Sequence, residues 1–229
     1  MTAARVAVVT GASDGIGRAL SLELAREGYA VGGIARRAER LATLQESIEA
    51  EGGRAFMAAA DVADRAALLA AVRRIEGALG SPDLLVANAG ISRPTDPLAP
   101  DARCFEEELA VNVVGVATAI EAVVPAMIER GEGHIVAVSS LAGWRGLPDA
   151  AGYCASKAAL TTFMDACRLD WRDHGITTTT VHPGFVDTPM IANADHPKPF
   201  QMSAERAARI IARAIRKKRA RCDFPWPCL

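Results

Sequence analysis

The chain has 229 residues and a formal net charge of −1, from 26 lysines and arginines against 27 aspartates and glutamates. That length fits one large α/β core, and the balanced charge supplies no basic field to gather nucleic acid or an anionic lipid surface. Five cysteines, with no CxxC pair and no clustering with the four histidines, argue against a disulfide framework or a metal site and for reduced thiols in a cytoplasm.

The opening, "MTAARVAVVTGAS", enters an apolar strand at once and carries no long apolar segment with a cleavage site, so secretion is not expected. The elements then alternate. "RVAVVT" (5–10) is followed by a helix over 16–27, "AVGGIA" (30–35) by a helix over 38–50, and "RAFMAAADV" (54–62) by a helix over 65–79. "DLLVANAG" (83–90) precedes a long helix over 101–130, "HIVAVSS" (134–140) a helix over 152–173, and "TTTTVHPG" (177–184) a helix over 204–217, with "ARCDFP" (220–225) as a further strand.

Strand–helix alternation with nearly continuous apolar strands predicts a parallel sheet covered on both faces. Right-handed crossovers then lead to an α/β fold with a doubly wound, Rossmann-like parallel sheet in three layers. No repeat or composition break divides 1–229, so one domain is expected. The apolar run "LAVNVVGVATAIEAVVPAMI" is interrupted by Asn112, Glu121 and Pro125 and reads as a buried helix, so membrane contact is not expected. Two proline-rich stretches, 92–100 and 185–200, follow strand ends where open α/β sheets bind ligands. The second of these, extended to about 202, is the expected substrate loop. The apolar tail "DFPWPCL" could seal a pocket, meet a subunit or touch a membrane.

Two short patterns carry chemistry. "TGASDGIG" joins the first strand to the first helix; its glycines permit a sharp turn and close approach to a phosphate, and the helix N-terminus offers N–H groups to a pyrophosphate. In "SSLAGWRGLPDAAGYCASKAAL", Tyr153 and Lys157 stand four residues apart on one helix face. A free tyrosine titrates near pH ~10, and a nearby ammonium favours the phenolate, so this spacing makes tyrosine a usable acid or base.

With these residues in order, the chain resembles the short-chain dehydrogenase/reductase family over nearly its whole length. The loop from Thr10 to Gly17 matches TGxxxGxG, "DV" at 61–62 the adenine contact, and "NAG" at 88–90 a sheet-stabilising loop. "HPGFVDTP" at 182–189 is similar to the segment that covers the nicotinamide. The resemblance implies a catalytic set of Asn112, Ser140, Tyr153 and Lys157. In it Ser140 is chosen over Ser139 to hold the reacting oxygen, and Asn112 frees a backbone carbonyl that connects Lys157 to solvent. It also implies cofactor contacts from Gly11, Ser13, Asp14, Gly15, Ile16, Gly17, Asp61, Val62, Asn88, Ala89, Gly90, Tyr153, Lys157, Pro183, Gly184, Val186 and Thr188.

At the end of the second strand the position for a ribose-binding carboxylate is Ala35, followed by Arg36 and Arg37. Two guanidinium groups suit a 2′-phosphate, so NADP(H) is favoured, NAD(H) remaining possible; Asp14 would weaken the positive site. Trp144, Leu147, Phe185, Met190 and Ile191, with Phe200 and Met202, are the expected walls for an apolar or aromatic carbonyl or secondary alcohol. Arg93 and Arg145 leave room for an anionic group on that substrate.

His182 reads as a positioned loop residue rather than a base, and Cys154 as a small buried hydrophobe. Family members form homodimers or homotetramers through two long helices, here those holding 113–126 and 155–169. The tail "RCDFPWPCL" departs from the family's longer glycine-rich end and puts the tetramer in question. The rival reading is a catalytically idle NADP(H)-binding sensor, which would not need both Tyr153 and Lys157.

Overall fold

Five apolar or β-branched residues, Val6–Thr10, form strand β1, and all five are buried, as in a strand covered on both faces. The computed structural model of the protein describes residues 4–96, 98–192 and 197–225. The further strands are β2 (Ala30–Ala35), β3 (Ala55–Ala59), β4 (Leu84–Ala87), β5 (Gly133–Val138), β6 (Ile176–Pro183), β7 (Val186–Asp187), β8 (Met202–Ser203) and β9 (Arg221–Phe224). Between them run the helices α1 (Gly15–Arg26), α2 (Ala38–Ala50), α3 (Arg65–Leu79), α4 (Ala102–Leu109), α5 (Gly115–Arg130), α6 (Ala151–Asp170) and α7 (Ala204–Arg216).

Among the described residues the main sheet has seven strands in the order β3-β2-β1-β4-β5-β6-β9, with every pairing parallel. One face is packed by Leu20 and Leu24 of α1, Leu41 and Leu44 of α2, and Ile211 and Ile215 of α7. The other is packed by Leu68 and Val72 of α3, Val116 and Ile120 of α5, and Leu160 and Met164 of α6. This is the expected three-layer, doubly wound sheet. The chain winds outward from β1 in one direction and from β4 in the other, so a crevice opens at the carboxyl ends of these two neighbours.

The segment expected as one helix over 101–130 is capped by Asp101, whose carboxylate accepts from the Arg103 N–H at 3.0 Å. It runs continuously to Arg130 but widens into a π turn at Ala110–Val114. By length and composition alone 102–130 could cross a membrane; half of its most apolar stretch is buried inside the protein, against α3 and the sheet. The helix expected over 152–173 ends earlier, at Asp170, and a 3-10 turn Arg172–His174 follows.

Strands β7 and β8 pair with each other, a contact the sequence pattern did not announce. Through this pairing Met202, expected among the pocket walls, is buried in the core with Val186 and α7. The expected strand at 220–225 is β9, whereas 226–229 of the apolar tail and 193–196 of the substrate loop lie outside the described residues.

Candidate active site

The glycine loop is held from below by β4. Thr10 Oγ1 accepts from the N–H groups of Asn88 and Ala89 at 3.0 and 3.1 Å, and Asn88 Nδ2 donates to the Thr10 carbonyl at 3.0 Å. Gly11 turns the chain in the left-handed region (φ +68), and a methyl group on Gly17 would meet the Gly11 carbonyl oxygen at 2.3 Å and Asn88 Nδ2 at 2.5 Å. Asp14 starts α1, its carboxylate accepting from the Gly15 N–H at 2.9 Å. A methyl on Gly15 would lie 2.8 Å from the Thr188 methyl, so the β7 segment comes down directly over the loop. The result is a glycine-built turn at a helix N-terminus, the shape and polarity that fit a dinucleotide pyrophosphate.

Three arginines gather at the end of β2. Arg37 donates to the Asp14 carboxylate at 3.0 Å and to Ser13 Oγ at 3.2 Å, and Arg40 pairs with the same carboxylate. Arg36 is the freest of the three, 70% exposed at the side chain, with Asp61 at 3.7 Å. Asp14 therefore engages two of the three cations, and the local charge remains positive. Arg40, in the first turn of α2 and three residues after Arg37 at the helix cap, was missed in the sequence. Val62 is buried, and its carbonyl would lie 3.0 Å from a methyl on Gly115, which ties the Asp61–Val62 turn to α5.

The carboxyl end of β5 supplies the second half. Ser140 opens a short 3-10 turn, Leu141–Gly143; its Oγ accepts from the Ala142 N–H at 3.1 Å and donates to the Pro183 carbonyl at 3.4 Å. Ser139 points the other way: it is buried, donates to the Lys157 carbonyl at 2.9 Å and lies 2.9 Å from Thr161 Oγ1. Lys157 is 3% exposed, with Nζ donating to the Val138 carbonyl at 2.9 Å and lying 5.7 Å from the centre of the Tyr153 ring.

Electrostatics differ from the sequence expectation. Burial holds the Tyr153 phenol above its ordinary value, and the Ser140 hydroxyl only partly offsets this. Burial also pulls Lys157 down to about 8. In the protein without cofactor, then, desolvation outweighs any lowering of the tyrosine by the ammonium.

Asn112 lies in the π turn and is fully buried. Its Nδ2 donates to the Ile91 carbonyl and to Ser156 Oγ, both at 2.9 Å, and its Oδ1 accepts from the Ile91 N–H at 2.8 Å. The side chain thus clamps the extension of β4 to α6, while the π turn is where backbone carbonyls leave regular helix bonding. Gly90 allows this closeness, since a methyl there would be 3.2 Å from Asn112 Oδ1 and 3.4 Å from Lys157 Nζ.

One turn earlier, Glu108 accepts from the Arg93 N–H at 2.7 Å, and its buried carboxyl is held above the usual range by desolvation. The pair Glu108 and Asn112, four apart on the helix, matches Arg93 and Ile91, two apart on an extended segment. Glu108 was missed because a glutamate amid "FEEEL" looks like any other surface charge.

Trp144, Leu147 and Met190 are exposed, and Phe185 and Ile191 half-buried, around the same end of the sheet. Phe200 is exposed. Arg93 is paired with Glu107 at 3.0 Å, which occupies one of the cations expected to meet an anionic substrate. Cys154 is buried, and among the described residues no cluster of His, Cys, Asp and Glu could hold a metal. A surface hollow of about 500 Å³ beside Arg168, Arg172 and Lys218 lies at the other end of β6, away from Tyr153.

The chain is similar in sequence to known proteins. The profile of the family described as short chain dehydrogenase matches residues 5–199. An uncharacterized oxidoreductase of Myxococcus xanthus is 40% identical over 222 residues, which cover 97% of this chain and 88% of the relative. A 3-oxoacyl-(acyl-carrier-protein) reductase of Staphylococcus aureus is 35% identical over 191 residues, covering 83% of this chain and 78% of the relative. Glycine betaine reductase of Emericella nidulans is 38% identical over 187 residues, but the chain spans only 15% of its length.

Proposed function

The chain belongs to the short-chain dehydrogenase/reductase family of oxidoreductases, and on that premise we propose that it reduces an apolar or aromatic ketone or aldehyde, or oxidises the corresponding alcohol, with Tyr153 as the general acid and base. The observation that carries this reading is the convergence of Ser140, Tyr153 and Lys157 at the carboxyl end of β5, across from the glycine turn at the end of β1.

A nicotinamide cofactor supplies the hydride. Gly11, Gly15, Gly17 and the first turn of α1 would hold its pyrophosphate, Asp61 and Val62 its adenine, and Asn88, Ala89, Gly90 and the 183–188 segment its remaining length. Arg36, Arg37 and Arg40 favour a 2′-phosphate and hence NADP(H).

The chain's own residues handle the proton. Tyr153 donates its phenolic proton to the carbonyl oxygen, which Ser140 holds through its hydroxyl. Lys157, with a pKa of about 8, exchanges protons near neutral pH and returns one to the phenolate. Asn112 keeps the β4 extension and α6 in register, and the π turn around it gives a water chain a carbonyl to bind. Trp144, Leu147, Phe185, Met190 and Ile191 would wall the substrate. The Staphylococcus relative is named for a 3-oxoacyl substrate, itself a ketone on an apolar chain, which suits the same lining.

The exposed apolar residues Phe105, Val114, Ile128 and Leu169 on α4, the π turn, α5 and α6 support pairing of these helices in a homodimer. Titration of the purified protein with NADPH and NADH, followed by nicotinamide fluorescence and then a panel of aromatic and aliphatic carbonyls, tests the reading. NADPH binding at least tenfold tighter than NADH, with turnover on aromatic carbonyls, is expected. Failure of both cofactors to bind would overturn it.

A further inference from the structure

His182 is fully buried at the carboxyl end of β6, one residue before Pro183, whose carbonyl accepts from Ser140. Its register partner on the neighbouring edge strand β9 is Asp223, and the two side chains meet with Nδ1 2.6 Å from Asp223 Oδ1. An ionised carboxylate only accepts, so the ring proton sits on Nδ1. Nε2 then accepts from the Thr161 hydroxyl at 3.1 Å, and Thr161 in turn lies 2.9 Å from Ser139 and 2.9 Å from the Lys157 carbonyl. Burial lowers the imidazole pKa and Asp223 opposes this.

A core histidine is satisfied by two such bonds. Here the ring has a third neighbour: the Trp144 indole, with centroids 5.4 Å apart and planes tilted by 49°. Trp144 follows directly on the 3-10 turn that Ser140 opens, and 42% of it is exposed. An exposed aromatic that rests on a locked, buried ring has a defined position.

We propose that His182 and Asp223 form a positioning pair: Asp223 fixes the orientation and tautomer of the His182 ring, and that ring seats Trp144 as a wall of the substrate pocket beside Ser140. The edge strand β9 thereby sets substrate fit without contributing a group to the proton transfer. This role rests on the oxidoreductase reading above, but its first test needs no substrate.

The Trp144 contribution to emission is the difference between a protein and its Trp144→Phe counterpart. Asp223→Ala is expected to change that difference by a third or more in intensity, and Asp223→Asn, which keeps an acceptor oxygen, to restore it. With NADPH, Asp223→Ala should raise KM for acetophenone about fivefold while kcat stays within twofold and KM for propanal is unmoved. If Asp223→Ala does not fold, Asp223→Glu, which keeps the charge but displaces the ring, takes its place with the same expectations.

A lower urea midpoint with Trp144 emission unchanged would mean a purely structural pair and overturn the proposal; so would altered emission with KM for acetophenone unmoved. If the parent protein reduces no carbonyl, the oxidoreductase reading fails, and the emission difference alone decides whether the pair seats Trp144.

Discussion

Lys157 carries its ammonium into the protein, where it donates to the backbone carbonyl of Val138 at 2.9 Å with only 3% of the residue exposed. The depression from 10.5 to about 8 corresponds to a cost on the order of 3 kcal/mol for keeping the charge. Because the folded pKa lies below the unfolded one, this cost is full below about pH 8 and disappears as the pH rises to about 10.5. Lys157→Met should therefore stabilise the cofactor-free protein at pH 7 by about 2 kcal/mol, allowing about 1 kcal/mol for the lost hydrogen bond. It should do so while abolishing turnover. Urea unfolding at pH 7 and pH 10.5 checks this; at the higher pH the advantage vanishes and the lost hydrogen bond leaves the variant less stable by up to about 1 kcal/mol.

Adjacent serines face different tasks. Ser139 Oγ is bound to the Lys157 carbonyl within the core, whereas Ser140 Oγ faces Tyr153 and the Pro183 carbonyl. Ser139→Ala is expected to cost about 1–2 kcal/mol of stability with turnover nearly unchanged, from the loss of a buried hydrogen bond. Ser140→Ala should lower kcat by about tenfold or more with little change in the urea midpoint. Paired denaturation and steady-state kinetics on the two variants decide it; the reverse pattern would mean that Ser139 faces the substrate.

Arg37 and Arg40 meet at Asp14, and Arg36 stands beside Asp61. Charge-assisted hydrogen bonds contribute about 1.5–3 kcal/mol each. Removing Arg37 and Arg40 together should weaken NADPH binding by at least tenfold and NADH binding by less than threefold, and Arg36→Ala should discriminate in the same direction. Fluorescence titration of each variant with both cofactors measures this, and equal losses would show that the arginines do not read a phosphate.

Gly17 and Gly77 make opposite predictions for the same substitution. A methyl at Gly17 runs into the Gly11 backbone at 2.3 Å, whereas one at Gly77 in α3 meets nothing within 4 Å. Gly17→Ala should cost more than about 2 kcal/mol and remove cofactor binding, since backbone must shift. Gly77→Ala should add about 1 kcal/mol through helix propensity alone. Thermal unfolding of the two variants separates them.

The alternation of apolar runs and helical patterns was enough to read the order of the main elements, because β1, β2, β4, β5 and β6 are buried along most of their length and their apolar runs are nearly continuous. The Tyr153–Lys157 pair and the glycine loop stood out by their spacing, whereas Ser140 was selected over Ser139 only through the family resemblance. Other features depend on contacts between distant segments: the π turn at Asn112, the Glu108 bond to Arg93, and the pairing of β7 with β8, which draws Met202 into the core. His182 was read as a positioned loop residue; it lies within β6, and nothing in the order of residues showed that its acceptor is Asp223, 41 positions away on the last strand. The raised phenol of Tyr153 was likewise hidden, since desolvation follows from packing and not from the Tyr–Lys spacing.

The central claim concerns the phenolic oxygen of Tyr153, which Tyr153→Phe removes while keeping the ring. General acid–base catalysis contributes about 10²–10⁴-fold, so turnover of NADPH with the best carbonyl substrate should fall by at least about a hundredfold. NADPH affinity, measured by nicotinamide fluorescence on the same sample, should stay within threefold of the parent. Turnover within a few-fold of the parent, at unchanged NADPH affinity, would contradict the account and require a different proton donor.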